Sequence, residues 1–118
     1  MKKILLASIL ITINSCYLFK SGLNFEIYNN SNSKVENIKF YTSEKLNFTK
    51  IDKIESKDKI MNFLSMRNNK SDGHYILEFN RKDGRKEKIQ AGYYTNGSCL
   101  NNSITFEIQK DTTYIIYN

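Results

Sequence analysis

From Leu23 onward the chain is written in short runs of alternating apolar and polar residues, with turn-forming clusters between them. Leu23, Phe25 and Ile27 fall on one side of such a run, with Asn24, Glu26 and Tyr28 on the other. A period of two is the signature of a strand with one face buried. The same pattern predicts a strand over Val35–Thr42, which offers Ile38 and Phe40 to one side and is expected to form a first hairpin with Leu23–Asn29. Further strands are predicted over Phe48–Ile54, over Tyr75–Asn80 with Tyr75, Leu77 and Phe79 aligned, over Arg85–Tyr94, at Ile104–Ile108, and over Thr112–Asn118. Ser56–Met66 fits two periods, helical through Ile60, Met61 and Leu64 or extended through Ile60, Asn62, Leu64 and Met66. The β character of its surroundings favours a strand.

The breaks between these runs carry turn chemistry. Asn29–Lys34 (NNSNSK) and Asn68–Gly73 (NNKSDG) are loops by composition. Asp83-Gly84 predicts a type I′ hairpin turn, which needs positive φ at both central positions, and Asn96-Gly97 marks a second reversal. Lys110-Asp111 turns the chain before its last run. About seven strands at this spacing predict an all-β fold, a small antiparallel two-sheet sandwich of immunoglobulin-like or transthyretin-like type.

The leader changes where that sandwich is expected to work. Lys2 and Lys3 precede an uncharged, mostly apolar stretch, Ile4–Ile13, which Asn14-Ser15-Cys16 closes. A basic start, a short apolar stretch and small residues before a cleavage point make an export signal. The closing Ile13-Asn14-Ser15-Cys16 resembles the lipobox of bacterial lipoprotein signal peptides. That resemblance implies lipidation of Cys16 and anchoring to a membrane of the bacterial cell envelope, on its periplasmic face or at the cell surface. It divides the chain into a signal peptide over 1–15, a lipidated cysteine with a spacer over 16–24, and one β domain over 25–118. An uncleaved anchor helix fits less well, because Ile4–Phe19 falls short of the ~20 apolar residues that span a bilayer.

Charge and cysteine content narrow the partners. The formal net charge of +6 falls to +4 without Lys2 and Lys3, a mild, dispersed excess that calls for no nucleic-acid partner. With Cys16 lipidated, Cys99 is a lone thiol and no disulfide framework is expected. The absence of proline and tryptophan and the excess of asparagine and lysine resemble the composition of lipoproteins from AT-rich Bacteroidetes.

No catalytic constellation is legible. His74 is the only histidine, in the segment Asp72-Gly73-His74, and is expected at an exposed strand start. Cys99 has no cation beside it in sequence to lower its pKa and reads as a packing residue. The sequence offers neither a metal-ligand spacing, nor a glycine-rich phosphate cradle, nor a nucleophile elbow, so no metal and no small-molecule cofactor is expected. Two segments are candidate binding surfaces for an unknown protein or glycan. Arg81, Lys82, Arg85 and Lys86 concentrate positive charge at a hairpin tip, which suits an envelope polyanion or equally guards a strand edge. Tyr93, Tyr94 and Asn96 offer aromatic area and hydrogen bonds near a loop, or else form a structural corner between Gly92 and Gly97. Asp111-Thr112-Thr113 resembles the O-glycosylation signal of Bacteroidetes, with Thr112 as acceptor. The expectation is a non-catalytic envelope binding module; a toxin-neutralising immunity or inhibitor lipoprotein and a small envelope hydrolase are the alternatives.

Overall fold

A computed structural model describes residues 22–118; the expected signal peptide over 1–15 and Cys16 lie outside the described residues. Nine strands form two packed sheets: β1 (Gly22–Asn29), β2 (Val35–Thr42), β3 (Phe48–Ile54), β4 (Lys59–Ser65), β5 (Gly73–Arg81), β6 (Lys86–Thr95), β7 (Ser98–Cys99), β8 (Ser103–Ile108) and β9 (Thr113–Tyr117). One sheet has the order β4-β1-β8-β9, the other β3-β2-β5-β6-β7. The all-β sandwich is therefore as expected, with nine strands in place of about seven. Ser56–Met66 supplies β4. Other expectations need correcting. Gly22–Asn24, expected in a spacer, belongs to β1, and Leu23 is fully buried. The sandwich is not wholly antiparallel, since β1 and β8 run parallel with Asn24 opposite Ser103 and Asn29 opposite Ile108.

The expected first hairpin also does not form, because β1 and β2 lie in different sheets. Asn29 holds the connection that separates them. Its buried side chain donates to the carbonyls of Ser33 and Ile54 at 2.9 and 3.0 Å and accepts from the Ser31 amide and hydroxyl at 3.1 and 2.6 Å. Its backbone N–H donates to Asp58 O and its carbonyl accepts from Lys57 N. The polar loop 30–34 is thus a hydrogen-bonded crossover that carries the chain from one sheet to the other.

Between the sheets lies an aromatic core. The Phe40 ring of β2 stacks on Phe25 of β1 at 4.5 Å and on Tyr75 of β5 at 5.9 Å, and meets Phe106 of β8 edge-on at 5.5 Å. Two bulges set which residues reach this core. Val35 and Ile38 are both buried despite odd spacing, because the β2–β5 register shifts around Asn37, whose φ is 50°. The β5–β6 register shifts near Gly92, at φ 53°, so Ala91 and Tyr94 both point inward while Tyr93 points out. An inserted residue with positive φ reverses the face of everything beyond it.

The turns follow their chemistry unevenly. Asn96 and Gly97 both take positive φ and join Thr95 to Ser98 in the two-residue manner of a type I′ turn. Asp83-Gly84 does not form the expected type I′ turn. Gly84 alone has positive φ, and its N–H closes a turn onto Arg81 O, leaving Lys82 and Asp83 as the central residues.

Candidate functional site

The sandwich has two poles. At one, β1 begins at Gly22, and the loops around residues 43–47, 66–72 and 100–102 gather about it. At the other, β1 ends at Asn29 beside the crossover loop, the β5–β6 turn and the β8–β9 turn. The eight residues of β1 separate them by about 26 Å at ~3.3 Å per residue.

An open cleft of about 650 Å³ lies near the first pole, lined by Gln90, Gly92, Tyr93, Leu100, Asn101 and Tyr117. Tyr93, Leu100 and Tyr117 expose 66, 56 and 47% of their surface there, a concentration of apolar area that a solvated strand face does not need. The Gly92 N–H donates to Tyr117 Oη at 3.0 Å, which fixes the second ring on the cleft wall. Gln90 and Asn101 add amide donors and acceptors at the rim. Aromatic faces beside a few polar groups are the composition of a recognition site.

Adjacent tyrosines have opposite fates. Tyr93 is exposed on the cleft wall, but Tyr94, expected beside it on the candidate surface, is completely buried and presents no area to a ligand. Its hydroxyl donates to Glu44 Oε1 at 2.9 Å, and Glu44 also accepts from the Lys70 and Ser71 amides. Beside it, Thr42 Oγ1 donates to Asn69 Oδ1 at 2.8 Å. This polar cluster latches the loop 66–72 onto the end of β2. Asn96 is exposed in its turn, where its backbone N–H donates to Asp72, and it does not line the cleft.

The predicted cation group is also divided. Arg81 is 8% exposed; its Nε donates to Glu87 at 2.7 Å and its Nη1 to Gln109 O at 2.8 Å, so it is a buried bridge between the sheets. Lys82 and Arg85 stay exposed at the turn beyond it, with Arg85 bonded to Asp83. Lys86 faces a different groove, on the outer surface of the five-stranded sheet with Lys39 and Lys88. The outer edge of β6 pairs with β7 only at Tyr94 and Thr95, so Lys86 and Lys88 stand where charge discourages further strand addition.

His74 is the second residue of β5, at the strand start as expected, but it is half-buried rather than exposed. Among the described residues, no group of three or more histidine, cysteine or acidic side chains is placed to hold a metal. Cys99 is free and packs against the core. Thr112 is exposed in the β8–β9 turn, where its carbonyl accepts from Gln109 N. Sequence reasoning missed Leu100, Asn101 and Tyr117, because the cleft exists only once β6 and β9 are brought together from different sheets.

Buried phenols give the fold an alkaline limit. Burial raises the Tyr75 pKa far above its ordinary value, and Cys99 and Tyr94 beside it act in the same direction. Burial likewise raises Tyr94, helped by its bond to Glu44, and Tyr41, helped by Glu78. A phenol with a raised folded-state pKa contributes fully below its unfolded value of about 10, and that stability is lost as pH rises further. In an alkaline titration, these three should ionise only together with loss of the β circular dichroism signal. Their reversible ionisation at 295 nm with the β signal intact would contradict this.

No protein-family model matches the chain, and comparison with curated proteins finds no match. A solved structure described as the NMR structure of a protein from Eubacterium rectale is similar in fold, with a TM-score of 0.57 and 13% identity over 83% of this chain and 89% of that one. The likeness supports an all-β two-sheet sandwich.

Proposed function

We propose that this protein is a lipid-anchored lipoprotein of the bacterial envelope whose sandwich is a non-catalytic module that binds a glycan or protein segment. The cleft of Tyr93, Leu100 and Tyr117 is the observation that carries the binding reading. Its exposed rings offer stacking area at low entropy cost, and Gln90 and Asn101 offer orienting hydrogen bonds. The anchoring rests on Lys2-Lys3, the apolar stretch after them and the lipobox-like Ile13–Cys16.

The two parts are tested separately. Cells labelled with an alkynyl fatty acid should yield a tagged protein that loses its label in Cys16→Ser; a label that persists would remove the anchor. For the cleft, a panel of envelope oligosaccharides and envelope-protein peptides is titrated against the protein while chemical shifts are followed. Tyr93→Ala should weaken the member bound at the cleft about tenfold, or about 1.4 kcal/mol, with the melting temperature unchanged. Binding that ignores Tyr93, or no saturable binder in the panel, would overturn the assignment.

A further inference from the structure

At the opposite pole, three turns from both sheets close around a small hollow of about 210 Å³. It is lined by Ser31–Val35 of the crossover, Arg81–Asp83 and Arg85 of the β5–β6 hairpin, and Lys110 of the β8–β9 turn. Five cations thus meet one carboxylate in its wall. Some of that charge is already engaged: Lys34 with Glu36 at 2.7 Å, Arg81 with Glu87, and Arg85 with Asp83 and more loosely with Asp111 at 3.7 Å. Lys82 and Lys110 form no ion pair among the described residues.

Arg81 supplies a second and independent observation. Its Nε and Nη1 are bonded and its guanidinium lies 5.3 Å from the Phe79 ring centroid, yet Nη2 is buried without an acceptor. Buried guanidinium donors are normally satisfied, so the unpaired Nη2 of a residue that lines a cationic hollow leaves a donor free for an oxyanion. The volume is below the roughly 300–1,000 Å³ of sites for whole drug-sized ligands, which suits a single charged group. Lysines from two separate turns and Arg85 approach as distinct cations, which matches a tetrahedral oxyanion better than a planar carboxylate.

We propose that this hollow is a binding site for a phosphate group, held by Lys82, Lys110 and Arg85 at its mouth with Arg81 beneath them. The site lies at the other end of the sandwich from the aromatic cleft and stands independently of what the cleft binds. The phosphate is either the free ion or the terminal group of an ester.

Isotope-labelled protein is titrated with inorganic phosphate at constant ionic strength, against a sodium chloride reference, and backbone amides are followed by NMR. Saturable shifts should be confined to residues 31–34, 82–85 and 110. Combining Lys82→Ala with Lys110→Ala should weaken binding about tenfold through loss of two charge-assisted contacts. The equally charged control, Lys50→Ala with Lys70→Ala, should bind as the unaltered protein does. Glycerol phosphate provides the second arm: tighter binding of the ester assigns the site to a phosphate carried on a larger molecule, and tighter binding of inorganic phosphate assigns it to the free ion. Shifts that chloride reproduces, that map elsewhere, or that survive the Lys82/Lys110 pair unchanged would overturn the proposal.

Discussion

Replacing Asn29 with alanine should lower the unfolding free energy by about 3 kcal/mol, because one small side chain bonds four polar groups and two of them have no other side-chain partner. The Ile54 carbonyl and the Ser31 amide lose the side chain that meets them, whereas the Ser31 hydroxyl and the Ser33 carbonyl keep each other as partners at 2.9 Å. Each buried group left without a partner costs about 1–3 kcal/mol, partly relieved where the loop can relax toward solvent. Asn29→Asp should fare no better, since its second oxygen cannot donate to two carbonyls and adds a buried charge. The neighbouring Asn30 is the control. Its side chain takes a bond from Lys57 and gives one to Glu107 at the surface, so Asn30→Ala should cost less than about 1 kcal/mol. Urea unfolding followed by circular dichroism measures both. A loss below 1 kcal/mol in Asn29→Ala would mean that the crossover is not held as described.

Phe40→Ala should be comparably damaging, at about 4 kcal/mol, for a different reason. The ring is wholly buried and touches aromatic partners from both sheets, so its removal opens a cavity at the one place where Phe25, Tyr75 and Phe106 converge. Truncating a buried phenylalanine typically costs about 3–5 kcal/mol, as lost transfer free energy plus the unfilled space. At roughly 4–8 °C per kcal/mol for a domain of this size, the melting temperature should fall by some 15–30 °C. Phe40→Leu should recover part of the loss, because it keeps apolar volume while giving up the ring contacts. If alanine and leucine were equally destabilising, the ring geometry rather than the volume would carry the stability.

The strands of this fold were legible from period two, since Leu23, Phe25, Ile27, Tyr75, Leu77 and Phe79 all point inward. Pairing was less legible. Nothing in the alternation of β1 says that its neighbours are β4 and β8, because burial pattern fixes which face is inward and not which strand lies alongside. The bulges at Asn37 and Gly92 were missed for a related reason. Each shifts the phase by one residue, so a strict alternation puts Val35 and Tyr94 on the wrong side. Gly92 was visible as a glycine within a strand pattern, a known mark of a bulge. A bulge there turns Tyr94 inward and leaves Tyr93 at the surface.

The candidate sites were half legible. Exposed Tyr93, Lys82 and Arg85 remain where charge and aromatic content placed them, but the company they keep comes from remote segments. Tyr117 and Leu100 join Tyr93, and Lys34 and Lys110 join Lys82. Arg81 looked like its neighbours in sequence and differs entirely in environment. Only the position of Gln109 and Glu87 around it explains why an arginine is tolerated indoors.

The parallel seam between β1 and β8 fixes an order of assembly. Antiparallel β4 can dock on β1 early, but the opposite rim of β1 must wait until Ser103–Ile108 has been synthesised and delivered. Until then a row of amide and carbonyl groups stands uncovered, a template for any stray extended peptide. Joining the start of the domain to its last third also lengthens the search for the native topology. A newborn chain of this kind needs that rim shielded far more than its finished, closed form does.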